Sequence, residues 1–161
     1  MSAAPGPPAA NSGRIVTDYE AYLFGEGHWL RAWEKMGARP AEVDGVRGYS
    51  FVIWAPNARR VSIVGDFNGW DGRLHQMRKR IDSGLWEIFA PGLVEGAAYK
   101  YEIISRDGRL LPLKADPVGF AGELRPSTAS LVARTDHFVW SDEEFLARRQ
   151  KAEAWRCPGV K

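Results

Sequence analysis

Residues 63–71 read Ile-Val-Gly-Asp-Phe-Asn-Gly-Trp-Asp, and the fold turns on how this run is read. Val61 and Ile63 belong to a strand-forming stretch that runs into Asn68-Gly69. Asn-Gly is the strongest two-residue hairpin signal, because both central positions of the favoured turn need φ > 0. An indole, Trp70, follows the turn directly, at a polar corner beside Asp66, Asn68 and Asp71. An apolar plate rimmed by carboxylate and amide groups suits a ligand with one hydrophobic face and hydroxyls at its edge, which describes a sugar ring. An aromatic at a turn can equally fold back as a lid over a core, since aromatic side chains build cores and binding surfaces alike. From this run alone both readings stand.

On either side of it, over residues 48–132, short strands alternate with turn residues. The pattern predicts strands at 49–54, 60–65, 74–80, 85–90, 98–105, 110–113 and 127–132. Breaks fall at Ala55-Pro56-Asn57, Asn68-Gly69, Asp82-Ser83-Gly84, Pro91-Gly92, Asp107-Gly108 and Asp116-Pro117. Strands at this spacing predict an all-β, immunoglobulin-like β-sandwich of about seven short strands. Alternation assigns the faces: Trp86, Ile88 and Ala90 turn one way and Glu87 the other. Tyr99, Tyr101 and Ile103 point inward and leave Lys100 and Glu102 outside.

The flanks read as helices. Trp29, Leu30, Trp33 and Met36 share one face of a short helix over 26–36, with Gly37 as its C-cap and Pro40 just beyond. Near the other end, Ser141-Asp142-Glu143-Glu144 reads as a capping box with Trp140 and Phe145 at the staple positions, and the helix should reach about Ala154. The division that follows is a disordered tail at 1–14, an N-terminal helical flank at 15–47, the sandwich at 48–133, and a C-terminal helix and tail at 134–161. Trp29, Trp33, Trp140, Phe145 and Trp155 exceed what the outside of a small sandwich needs, so an exposed apolar patch is expected there.

Composition narrows the setting. The 161 residues carry a net charge of +2 with 26% charged residues, and the densest basic run is only Arg148-Arg149-Gln150-Lys151. The footprint of a nucleic-acid binder is missing. A single cysteine, Cys157, excludes an intramolecular disulfide framework and fits a reducing cytoplasm. Residues 1–13 have no apolar core of a signal peptide, and no stretch approaches the length needed to cross a bilayer. A cytoplasmic protein without membrane contact is expected.

Nothing in the chain reads as an active site. Glu87 and Glu102 are the one candidate carboxylate pair for glycoside hydrolysis, but exposed strand glutamates are by default solvated. His28, His75 and His137 fall in three sections without metal-ligand spacing. There is no Gly-x-Ser-x-Gly and no phosphate-cradling glycine loop, and Cys157 has no positioned base in view. No catalytic residue, metal or cofactor is expected.

Taken together, Trp54-Ala55-Pro56-Asn57-Ala58, Val64-Gly65-Asp66-Phe67-Asn68-Gly69-Trp70-Asp71, Gly84-Leu85-Trp86-Glu87 and Tyr99-Lys100-Tyr101 resemble the family-48 carbohydrate-binding modules. These immunoglobulin-like domains precede the catalytic barrel in branching and debranching enzymes and form the glycogen-binding domain of AMP-activated protein kinase. Tyr22-Leu23-Phe24-Gly25-Glu26-Gly27, Gly37-Ala38-Arg39-Pro40, Lys114-Ala115-Asp116-Pro117 and Arg125-Pro126 look like the bacterial 1,4-α-glucan (glycogen) branching enzymes in particular. The likeness covers roughly residues 19–150.

The resemblance implies contact with α-glucan (glycogen, malto-oligosaccharides) at Trp70 and Lys100, with Asn68 and Asp71 at the rim. Leu110, after Asp107-Gly108-Arg109, stands where the kinase-type domain has a second stacking tryptophan. One stacked ring is worth about 1–3 kcal/mol by analogy with nucleobases, which implies roughly millimolar affinity. A catalytic barrel takes about 250 residues and this chain stops at Lys161, with Trp155-Arg156-Cys157-Pro158-Gly159 unlike the family's passage into one. The implied function is a glucan-binding module of glycogen biosynthesis, non-catalytic by itself, acting beside the parent enzyme's barrel. The other implied role is structural: a domain that packs against and orients that barrel, with little or no glucan binding of its own.

Overall fold

The computed structural model describes residues 14–80, 83–137 and 139–151. The tail expected at 1–14 lies outside them but for Arg14, as do Phe138, Trp155, Cys157 and the end of the C-terminal helix. Among the described residues, eight strands pair into two antiparallel sheets. The first has the order β1(Gly37–Val43), β2(Val46–Trp54), β5(Leu85–Pro91), β4(Arg78–Lys79); the second β3(Ala58–Gly65), β6(Ala98–Ser105), β8(Ser130–Leu131), β7(Ala121–Gly122). This is the expected immunoglobulin-like sandwich, with one helix before it and one after.

The core between the sheets follows the period-2 alternation. Tyr49, Phe51 and Ile53 from β2 and Trp86 and Ala90 from β5 meet Val61, Ile63, Tyr99 and Tyr101 from the other sheet. Phe51 and Tyr99 pack edge to face at 5.0 Å. Asp116 ties the core to the chain beyond β6: the hydroxyls of Tyr99 and Tyr101 both donate to its Oδ2, at 2.6 and 3.1 Å, and the Val118 amide to its Oδ1 at 2.9 Å. A buried carboxylate here is tolerated because its oxygens are supplied with donors.

Three expectations are corrected. The strand β1 lies inside the stretch read as a helical flank at 15–47, paired with β2 over its whole length. Its turn is Asp44-Gly45, both residues left-handed (φ 52° and 77°), which is the conformation an Asp-Gly hairpin requires. The predicted boundary at 48 therefore cuts a hairpin. Second, the N-terminal helix is not at 26–36: α1 spans Asp18–Gly25, and only a 3₁₀ turn, Ala32–Glu34, forms later. The helix starts where its cap is. Thr17 Oγ1 accepts from the Glu20 amide at 3.2 Å, and the Glu20 carboxylate accepts from the Thr17 amide at 2.8 Å. Third, α2 begins at Glu143, so the cap position is Asp142 and not Ser141; the Leu146 amide bonds to the Asp142 carbonyl. Trp140 and Phe145 beside it are both exposed.

Glu87, expected to be solvated, has the largest correction. It does stand on the outer face of the first sheet, opposite Val52. That face, however, is covered by residues 15–36. Val16, Ala21, Val52 and Leu85 form a second buried cluster, joined by Phe24, Trp29 and Met36. The Glu87 carboxylate is wholly buried in this seam, where it accepts from the Val16 amide at 2.7 Å, the Ile15 amide at 3.2 Å and Arg78 at 2.5 Å. Lys35 Nζ fastens the same segment, donating to the Ile15 carbonyl and to Glu20. Trp54 and the start of β5 close the seam. The Trp54 indole donates to the Ser83 carbonyl at 3.2 Å, and a Cβ on Gly84 (φ 74°) would collide with that indole and with Pro56.

Candidate functional site

The run that opens the second sheet does not make a hairpin. After β3, Asp66–Asn68 form a 3₁₀ turn, and Gly69 and Trp70 follow in two successive left-handed conformations, φ 60° and 61°. A left-handed tryptophan is strained and persists only where its surroundings fix it. They do. The Trp70 amide donates to the Gly65 carbonyl at 2.9 Å, and its indole Nε1 donates to Asp66 Oδ1 at 2.7 Å. The ring is thereby held at the surface, 37% exposed, rather than folded over the core. Of the two readings open for Trp70 from sequence, the geometry keeps the exposed plate.

Asn68 does not stand at a rim. It is buried, with its side chain turned back into the turn: Oδ1 accepts from the Gly65 amide at 3.0 Å and Nδ2 donates to the Ile63 carbonyl at 3.0 Å. With those atoms occupied, Asn68 shapes the turn and has no amide to offer a ligand. Asp71 is at the surface, but Arg73 grips both its oxygens at 2.7–3.1 Å and holds its carboxyl down to about 2. It stays ionised and oriented.

Lys100 is positioned by β6. It lies opposite Val64, one residue from the Gly65 to which Trp70 is bonded, so the two expected contact residues sit at the same end of the second sheet. Its Nζ donates to Thr128 Oγ1 at 2.7 Å. Leu110 is exposed and bridges Ile104, four residues along the same outer row, about 13 Å from Lys100 at the rise of a strand. It is remote from the Trp70 end, and as an aliphatic side chain it offers no flat ring.

Between them lies a residue pair not foreseen as part of the site. Glu102, on the same face as Lys100, accepts from Arg60 at 2.5 Å. The Trp70 loop presses on this carboxylate at Gly72, where a Cβ would overlap it. Alternation put Glu102 on the outer face; no local signal in the chain pairs it with Arg60, 42 residues away. The surface so built is a fixed indole with Lys100 and two arginine-paired carboxylates, Asp71 and Glu102, along its edge. An indole face can stack an apolar ring, and the flanking groups can donate to and accept from hydroxyls. Glu87 and Glu102 do not form a catalytic pair: they lie on the outer faces of different sheets, and each is held by an arginine. Among the described residues no group of three or more His, Cys, Asp or Glu could hold a metal ion, and no helix is long and apolar enough to cross a membrane.

Residues 35–119 match the family model of carbohydrate-binding module 48, the isoamylase N-terminal domain. Among curated proteins, the chain is 51% identical over 151 residues to the 1,4-alpha-glucan branching enzyme of Synechococcus elongatus, covering 94% of this chain and 19% of that one. It is 55% identical over 144 residues to the enzyme of the same name from Rubrobacter xylanophilus, covering 89% and 20%. The chain thus spans about a fifth of the length of these relatives. Among solved structures, a Salmonella typhimurium protein described as an alpha amylase superposes with a TM-score of 0.51 at 21% identity, over 69% of this chain and 17% of that one, a likeness of fold.

Proposed function

This chain belongs to the carbohydrate-binding module 48 family, and we propose that its task is to hold α-glucan, as glycogen or malto-oligosaccharide, within a 1,4-α-glucan branching enzyme of cytoplasmic glycogen synthesis. By itself it binds and does not catalyse. The observation that carries this reading is the Trp70 indole, locked by Asp66 at the surface in a backbone conformation the surrounding turn must maintain. A core lid would need no such lock. The glucose ring stacks on the indole, and its hydroxyls meet Lys100 and the rim carboxylates.

The test is co-sedimentation with glycogen, and a maltoheptaose titration followed by tryptophan fluorescence. Trp70→Ala is expected to lose about 1–3 kcal/mol of binding, or roughly five- to more than a hundredfold in affinity. It should leave the thermal midpoint nearly unchanged, because the ring contributes little to the core. Unchanged glycogen binding together with a damaged fold would reverse the assignment.

A second reading has its own observations. Trp33 and Trp140 are 64% and 73% exposed, and Leu30 and Phe145 are exposed with them. Scattered apolar exposure is ordinary, but large aromatics are the usual material of interfaces. In this reading the module packs against the catalytic barrel of its parent enzyme and orients it, with Leu110 in place of a second stacking ring leaving little glucan affinity of its own. Normal barrel activity in a Trp70→Ala parent enzyme, with activity lost on substituting Trp33 and Trp140, would favour it.

A further inference from the structure

The turn that presents Trp70 depends on a histidine that the glucan reading has not used. Asn68 has its amide oxygen on the Gly65 N–H, which fixes which end of the side chain is which: Nδ2 must face the Ile63 carbonyl and, at 3.0 Å, His75 Nδ1. An amide nitrogen is a donor only, so Nδ1 must be the acceptor, which requires it to be unprotonated. The imidazole is further fixed by the edge of Phe67, 5.4 Å away, and by the His75 carbonyl, which accepts from the Ile63 amide at 3.1 Å. His75, itself bonded to the edge of β3, therefore braces Asn68, and Asn68 braces the turn that leads into the left-handed pair Gly69 and Trp70.

We propose that His75 is the positioning residue for the Trp70 plate, and that it holds the plate only while its imidazole is neutral. Protonation puts an N–H on Nδ1 against the Asn68 NH₂, donor against donor, and the turn loses its outer brace. The charged groups of the surrounding elements do not replace it. Asp66 takes the indole N–H, Asp71 and Arg73 hold each other, Arg60 and Glu102 are paired, and Lys100 is on Thr128. Carboxylates and guanidinium groups ordinarily keep their charge between pH 8 and 5, the interval in which imidazole titrates. The sign follows: the plate is in place at the alkaline end of that interval, and glucan affinity falls as pH falls through it. This inference rests on the glucan-binding reading for its consequence, but its first step concerns the loop alone.

Two measurements on the full chain separate the two. Without sugar, the Trp70 indole N–H resonance is followed from pH 8 to 5 in the wild type, His75→Gln and His75→Leu. It should shift in the wild type with the midpoint of the His75 ring itself. In His75→Gln it should not move, because a glutamine oxygen accepts from Asn68 at every pH. With maltoheptaose, wild-type affinity should fall by about five- to tenfold across the interval. His75→Gln should keep the pH 8 affinity throughout, and His75→Leu should be weak at every pH in a folded chain. An indole signal that ignores pH, or that moves equally in His75→Gln, overturns the inference whatever the sugar does. An indole that responds in a chain that never binds maltoheptaose keeps the positioning role and removes the glucan reading.

Discussion

Replacing Glu87 by alanine is expected to destabilise the domain by about 2–5 kcal/mol, chiefly because two backbone N–H groups lose their buried acceptor. The carboxylate is fully buried and serves Arg78 and the amides of Ile15 and Val16 at once. Alanine would strand two backbone N–H groups in an apolar seam, each costing about 1–3 kcal/mol unsatisfied, and would leave Arg78 without its carboxylate. Val16, Val52 and Leu85 would lose the segment that covers them. Urea unfolding followed by tryptophan fluorescence measures the loss, and Glu87→Gln should cost less because its amide oxygen still accepts. In a chain lacking residues 1–17 the same substitution should cost much less than in the full one. A loss below about 1 kcal/mol in the full chain would mean that the N-terminal segment does not dock.

The second large effect is alkaline. Tyr99 and Tyr101 are both held well above the ordinary tyrosine range, first by burial and then by the Asp116 charge beside their hydroxyls. A group whose folded pKa is raised contributes stability in full below its unfolded value, here about 10, and loses it as pH rises beyond. Above that value the unfolded chain gives up two protons that the folded one keeps. Stability should therefore fall by roughly 1.4 kcal/mol per pH unit for each tyrosine, about twice that for the pair. Urea unfolding at intervals between pH 9 and 11.5 gives the slope. Tyr101→Phe should halve it, and Asp116→Asn should leave most of it, since burial is the larger cause. A flat profile through this range would place the hydroxyls in water.

Much of this was legible in the chain. Strands β2, β3, β5 and β6 follow from β-branched and aromatic alternation, and Tyr99 and Tyr101 in, Lys100 and Glu102 out, is the alternation of β6 itself. The errors have physical sources. Trp29, Leu30, Trp33 and Met36 have helical spacing, but spacing states only that these residues want one side covered. A non-helical segment wrapped over the sheet covers Trp29 and Met36 and leaves Leu30 and Trp33 exposed. The cap that does start a helix, Thr17 with Glu20, was in the sequence and carried a real signal, as did Asp44-Gly45 for the β1–β2 hairpin. Glu87 shows the limit of alternation, which assigns a side chain to a face of a sheet without saying what lies on that face. At the candidate site, the turn that carries Trp70 and the outer-face position of Lys100 were legible in the chain. Asn68 turns inward through bonds to Gly65 and Ile63 within its own turn, which no residue pattern announces, and the Arg60–Glu102 pair joins residues 42 apart.

The clasp on Glu87 also sets an order of events in time. Its amides at Ile15 and Val16 precede it by 72 and 71 residues, and the eight-residue helix α1 is too short to persist alone in water. The segment that precedes β1 is thus obliged to wait for β5 before it has anywhere to dock. Non-local closure of this kind is slow compared with forming local turns. Substitutions at Val16 and Ala21 should therefore speed unfolding with little effect on refolding rate, whereas substitutions in the β2–β5 pairing should slow refolding. Until β5 is in place, the outer side of the first sheet at Val52 and Leu85 stays uncovered by the segment that holds Val16 and Ala21.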